Sequence, residues 1–165
     1  MKKCLSLLLI LACACMVAVA GNRKRNKANA DTEAFRYELE SIQTSGTGYV
    51  NVKVWSYSRR LSIAAEQCKK NAVHGVIFKG STGEGTQPPL VKDPAAEADH
   101  AEFFEAFFAD GGDYMRYVRN AIAGTNEVVK IGKEYKTGVV VKVNKGLLRK
   151  HLEQANIIRS LDSGF

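Results

Sequence analysis

At 165 residues the chain fits one domain, and 45% hydrophobic residues suffice for a core once an N-terminal extension is set aside. Its formal charge of +7, from 24 basic and 17 acidic residues, is concentrated near the N-terminus. Without Lys2 and Lys3 the balance is 22 against 17, and without residues 21–33 as well it is 18 against 15, which argues against a nucleic-acid-binding surface.

The first twenty residues, MKKCLSLLLILACACMVAVA, have the pattern of a secretory signal peptide. Lys2 and Lys3 form the positive region, Cys4 to Val17 is apolar, and Ala18-Val19-Ala20 supplies small residues for cleavage before Gly21. Two rivals stay open. ILAC, residues 10–13, resembles a lipoprotein box with Cys13 as the lipidated residue, and the apolar run of roughly 17 residues is at the lower limit for an uncleaved anchor. The first two readings place the folded part outside the cytoplasm, in the periplasm, secreted, or attached to the outer membrane, whereas Arg23, Lys24, Arg25 and Lys27 would pull an uncleaved anchor towards the wrong orientation for export. Any membrane association would come through the leader or a lipid.

Residues 21–33, with Arg23, Lys24, Arg25 and Lys27, are expected to be a solvated, flexible linker; a patch for anionic partners is the rival reading. Residues 34–160 then form a single domain, and 161–165 a tail. Three of the four cysteines lie in the leader, so cleavage leaves Cys68 alone. That excludes an internal disulfide and a C-x-x-C metal site in the mature chain.

Phe35 to Glu40 alternates apolar and polar residues, the period of a half-buried strand. After turn material at 44–48, the stretch from Tyr49 to Tyr57 is again strand-like, so the two form a hairpin. Val50, Val52 and Val54 share the face expected to pack on helices. Tyr49, Lys53, Trp55 and Tyr57 share the other, and such aromatics can anchor a protein or glycan partner. Ser58 is placed to cap a helix whose stripe is Leu61, Ala64, Ala65, Cys68 and Ala72, ending at His74-Gly75. Val76 to Lys79 reads as a short strand, and Gly80 to Glu97 as a long mobile loop.

That loop tests a nucleotide hypothesis. Gly80 and Gly85 have P-loop spacing, but Thr86 stands where the lysine belongs and Gln87 where the hydroxyl belongs. Pro88-Pro89 continues the loop where a helix would have to begin. A phosphate-gripping loop is excluded; a lid over a small ligand is not.

After Pro94, Phe103, Phe104, Phe107 and Phe108 mark a helix with one buried band, broken at Gly111-Gly112. Asp113 is placed to cap a second helix through Ile122. Strands over Val128–Tyr135 and Val139–Val143 are joined near Lys136-Thr137-Gly138, and Asn144 caps a last helix bearing Leu148 and Leu152. The order ββαβ(loop)ααββα predicts an α+β fold, with a mostly antiparallel sheet of about five strands and helices on one face.

No catalytic, cofactor or metal motif emerges. Cys68 and His74 are six residues apart on one helix and point about 120° apart, so they cannot pair there. Cys68 reads as core, His74 as a helix-terminal residue, His151 as a boundary residue and His100 as solvated. Glu97, Asp99, Glu102 and Glu105 read as a solvent face, and Asp110 to Asp113 as a turn lacking calcium ligands. A hydrolase with a dispersed site would first be sought at His74, Asp110 and Asp113.

The stretch GYVNVKVWSYSRRLSIAAEQCKKNAVHGVIF, with a valine-rich strand leading into an alanine-rich helix, resembles small bacterial envelope domains over residues 48–79. The N-terminal domain of the flagellar-assembly protein T and related small outer-membrane lipoproteins are examples. The resemblance implies a non-catalytic assembly or interaction role in the envelope, with no active site to carry over.

Overall fold

The structure, a computed structural model, describes residues 22–42, 48–83, 85–121 and 126–160. The leader with Cys13, the turn at 43–47, Ile122 and the tail lie outside them. The fold is α+β, with an open, mostly antiparallel sheet of six strands. Its centre is the pairing of β2 (Val50–Ser58) with β6 (Glu134–Val143), in register from Val50 opposite Val143 to Ser58 opposite Tyr135. β1 (Glu38–Ile42) pairs antiparallel with the other edge of β2, and the two-residue β3 (Thr82–Gly83) lies parallel to β1. Along the far edge of β6, β4 (Val118–Asn120) and β5 (Glu127–Ile131) follow one another.

This register separates two faces. Val50, Val52 and Val54 of β2 join Val139, Val141 and Val143 of β6 in the core, beneath α2 (Leu61–His74). Ala64, Cys68 and Ala72 are fully buried there, small enough for the helix to lie close to the valines. Burying each valine stabilises by about 1.5–3 kcal/mol. α5 (Lys145–Gln154) closes the same side with Leu148 and Leu152, and Asn144 caps it as expected, its side chain accepting from Leu147 N–H at 3.0 Å.

Several local expectations are corrected. Residues 22–33 form a helix, α1, in place of a flexible linker. Ala28 and Thr32, one turn apart, are buried against α2, where Gln67 Nε2 donates to Ala28 O at 3.0 Å. The basic run is also engaged, Arg25 bonding both Glu66 and Asp110 at 2.9 Å. Ser58 ends β2 and does not cap α2 through its side chain; its Oγ accepts from Arg60 N–H, at 3.3 Å.

The α-helix ends at His74 as expected, but Gly75 is not a left-handed cap, and 76–79 is no strand. The chain continues as a π turn (Gly75–Lys79), with Gly75 at φ −64° and Gly80 N–H bonding Gly75 O at 2.7 Å. Gly75 is there for packing: a Cβ would meet Leu39 Cδ2 at 2.8 Å and the Tyr37 ring at 3.1 Å. Gly80, at φ +73°, makes the turn out of the helix. The loop that follows is anchored at both ends. Ser81 and Gln87 exchange backbone bonds, and the buried Leu90 and Val91 donate to Val76 O and Ile77 O.

The phenylalanine helix is split at His100 into α3 (Ala96–Asp99) and α4 (Ala101–Phe107). After Asp113 the chain makes a 3₁₀ turn (Asp113–Tyr117) and enters β4, with no second α-helix. The threefold repeat of the 3₁₀ turn buries Tyr114 and Tyr117 together, and Val118 then satisfies the edge of β6. The last hairpin turns at Gly132-Lys133, where Gly132 has φ +57°, so Lys136 to Gly138 lie inside β6.

Gly138 stands opposite Trp55, and a Cβ there would come within 2.7 Å of the indole ring. Gly138→Val is therefore expected to destabilise the protein by ~1–3 kcal/mol in urea unfolding. In a Trp55→Ala background it should be neutral or stabilising, because glycine is intrinsically poor in a strand. Equal costs in both backgrounds would contradict this packing.

Candidate functional site

The face of the sheet opposite the helices carries the residues singled out for partner binding. Three of the four meet there. The Trp55 indole lies against Gly138, with Lys53 Nζ 4.8 Å and Lys136 Nζ 4.9 Å from its ring centroid. Tyr57 donates to Glu38 Oε1 at 2.6 Å, Lys136 bonds both oxygens of that carboxylate at 2.8 Å, and Arg36 lies 4.8 Å over the Tyr57 ring. The Lys136 and Tyr57 hydrogen bonds hold the Glu38 carboxyl below its usual range, and Glu38 in turn raises Lys136. Lys53 pairs with Glu127 at 2.6 Å. Tyr49 stands apart, ~20 Å along the strand from Trp55, with Lys142 Nζ 4.5 Å from its ring.

The aromatic row is bordered on both sides. Toward β1, a groove of about 740 Å³ opens between Trp55, Glu38 and Glu40 and the loop bearing Lys79, Thr82 and Pro88. The sequence gives no local sign of this meeting, because the loop reaches the sheet through tertiary contacts, the pairing of β3 with β1 and the bond from Ser41 Oγ to Gly85 O. Toward the other side lies β5, exposed at all five positions. Val129 and Ile131, on the same face as Trp55, are about half exposed, and no strand among the described residues pairs with the outer edge of β5.

The histidines and cysteine take other places. His74 is 1% exposed and has both ring nitrogens engaged: Nδ1 lies 2.9 Å from Tyr37 OH and Nε2 2.9 Å from Glu97 Oε1. An ionised Glu97 can only accept, so Nε2 carries the proton and Nδ1 accepts from Tyr37, leaving neither nitrogen for a substrate. Burial raises the Tyr37 phenol pKa. This pair lines a cleft of about 510 Å³ with Lys70, Glu33, Phe104 and Phe108. Assigning Glu97 to a solvent face and His74 to a helix end misses the pair, since 23 residues separate them and no spacing links them. His151 packs among Phe103, Phe107 and Tyr117, a boundary position. Asp110 is engaged by Arg25, and Asp113 faces Arg116.

Burial pushes the Cys68 thiol from its ordinary 9.0 up to about 11. Its Sγ lies 3.3 Å from Thr137 O, within the core. A chain carrying Cys4→Ser, Cys13→Ser and Cys15→Ser should resist thiol reagents at about pH 8 while folded and react fully in denaturant. The folded thiol titrates above the unfolded one, so its contribution to stability is intact below pH 9 and is lost as pH rises towards 11. Rapid modification of the native protein would contradict the burial.

Among the described residues no cluster of histidine, cysteine and acidic side chains could hold a metal ion. No helix among them is long and apolar enough to cross a membrane. No protein-family model, curated protein or solved structure matches the chain.

Proposed function

We propose that the chain is an exported, non-catalytic envelope protein that binds a protein partner through the uncovered face of its sheet, in an assembly role. Export rests on the leader. The observation that carries the binding role is β5, an edge strand exposed throughout, with Val128, Val129 and Ile131 each 44–51% exposed. Unpaired strand edges template pairing with another chain, and those left open are usually short, charged or covered. A partner strand added to β5 would carry its side chains over Val129 and Ile131 towards Lys136 and Trp55. The resemblance to envelope assembly domains agrees with this reading.

A second reading is favoured by the 740 Å³ groove, whose wall is the loop for which a lid role stays open. A glycan fits its chemistry, with Trp55 for a sugar face and Glu38, Glu40 and Thr82 for hydroxyls. Cross-linking separates the two, since a protein partner is trapped from β5 and a glycan shields the groove.

Val129→Lys with Ile131→Lys is expected to abolish retention of a partner that the unaltered protein retains from envelope extracts, at least tenfold by quantitative mass spectrometry. Circular dichroism should show the fold intact, because both side chains are surface-exposed in the free protein. Retention of the same partners by the variant would overturn the assignment of β5.

A further inference from the structure

Where the 3₁₀ turn feeds β4, one corner of the sheet gathers positive charge. Arg119 of β4 stands directly opposite Lys142 of β6. Both point away from the core, because their neighbours Val118 and Val143 are buried in it. With Arg116 they line a pocket of about 270 Å³, completed by Tyr49, Tyr117 and Leu147.

Among the described residues no acidic side chain lines this pocket. Arg116 approaches Asp113 at 3.7 Å in a solvent-exposed pair, which leaves its charge only loosely balanced. Lys142 rests on the face of Tyr49, and Arg119 has no ion-pair partner among the described residues. Like charges directly opposite on paired strands destabilise a sheet. The fold therefore carries a local cost that a bound anion would relieve.

The geometry points to a binding site for a phosphate group at Arg116, Arg119 and Lys142. Three cations are matched better by a phosphate monoester, with a charge near −2, than by a single carboxylate. Guanidinium forks suit phosphate oxygens, and the lysine supplies a point charge beside them. Tyr49 and Leu147, 39% and 53% exposed, offer apolar surface to whatever the phosphate is attached to. Tyr49 thereby gains a role separate from the Trp55 row with which the sequence groups it.

The test uses the full chain and an Arg119→Gln, Lys142→Gln variant. Inorganic phosphate and glycerol phosphate, against sodium chloride of equal ionic strength, should raise the melting temperature of the unaltered protein by ~3 °C or more. The variant should show no phosphate-dependent rise, while its own melting temperature without phosphate is equal or higher, because the like-charge pair is gone. Cosedimentation with phosphatidylglycerol vesicles, against phosphatidylcholine, identifies the source. Binding lost in the variant assigns the phosphate to a lipid headgroup, and a melting shift without vesicle binding assigns it to a soluble ligand. A rise that survives in the variant overturns the site, as does the absence of both the shift and vesicle binding in the unaltered protein.

Discussion

The register of β2 against β6 is the constraint from which the rest of the molecule follows. Nine consecutive pairs, from Val50–Val143 to Ser58–Tyr135, fix which side chains face the helices. A slip of one residue in β2 would send its valines to solvent and drive Lys53 and Trp55 into the core, and a slip in β6 would do the same with Lys136 and Lys142. Trp55 on Gly138 reinforces the register, because a Cβ at position 138 would come within 2.7 Å of the indole. The same pairing creates the open face, since the buried valines of β2 and β6 all lie on one side and need helices only there.

A second, polar constraint ties the helices to this sheet. Asn71 Nδ2 donates to Ser56 Oγ at 2.6 Å, and its carbonyl oxygen accepts from Thr32 of α1. Gln67 also reaches α1, through Ala28 O and Thr32. A buried network of this kind stabilises only when each member is satisfied, so it demands one placement of α1 on α2 and of α2 on β2. Lys70, whose ammonium is pulled down in pKa by burial, adds its bond to Asn29 Oδ1 at the same seam. That seam is why a basic segment which looks like a solvated linker is helical in the fold.

Period-two and helical patterns made the hairpin of β1 and β2, helix α2, the Asn144 cap and the two faces of β2 legible in the sequence. The segments that were misread are those in which tertiary contact overrides local preference. Gly75 looks like a left-handed helix stop but makes room for Leu39 of β1 and for Tyr37 just before it, which no local pattern announces. Gly138 looks like a turn residue but lies under Trp55, 83 residues earlier. The run after Asp113 has helical spacing, yet the open edge of β6 draws Val118 to Asn120 into a strand. At the candidate site, alternation alone grouped Lys53, Trp55 and Tyr57. The groove beside them and the Arg119–Lys142 pair depend on strand order, which a single sequence does not specify.

The Trp55 face is open and flanked by Lys53 and Lys136, and Trp55 is the protein's only tryptophan. Collisional quenching of its fluorescence in the native protein addresses both parts. Iodide should quench the emission appreciably, and more strongly than caesium, because Lys53 and Lys136 draw an anion to the ring. Emission resistant to both ions until the protein is unfolded would mean that the face is covered, and would contradict the account.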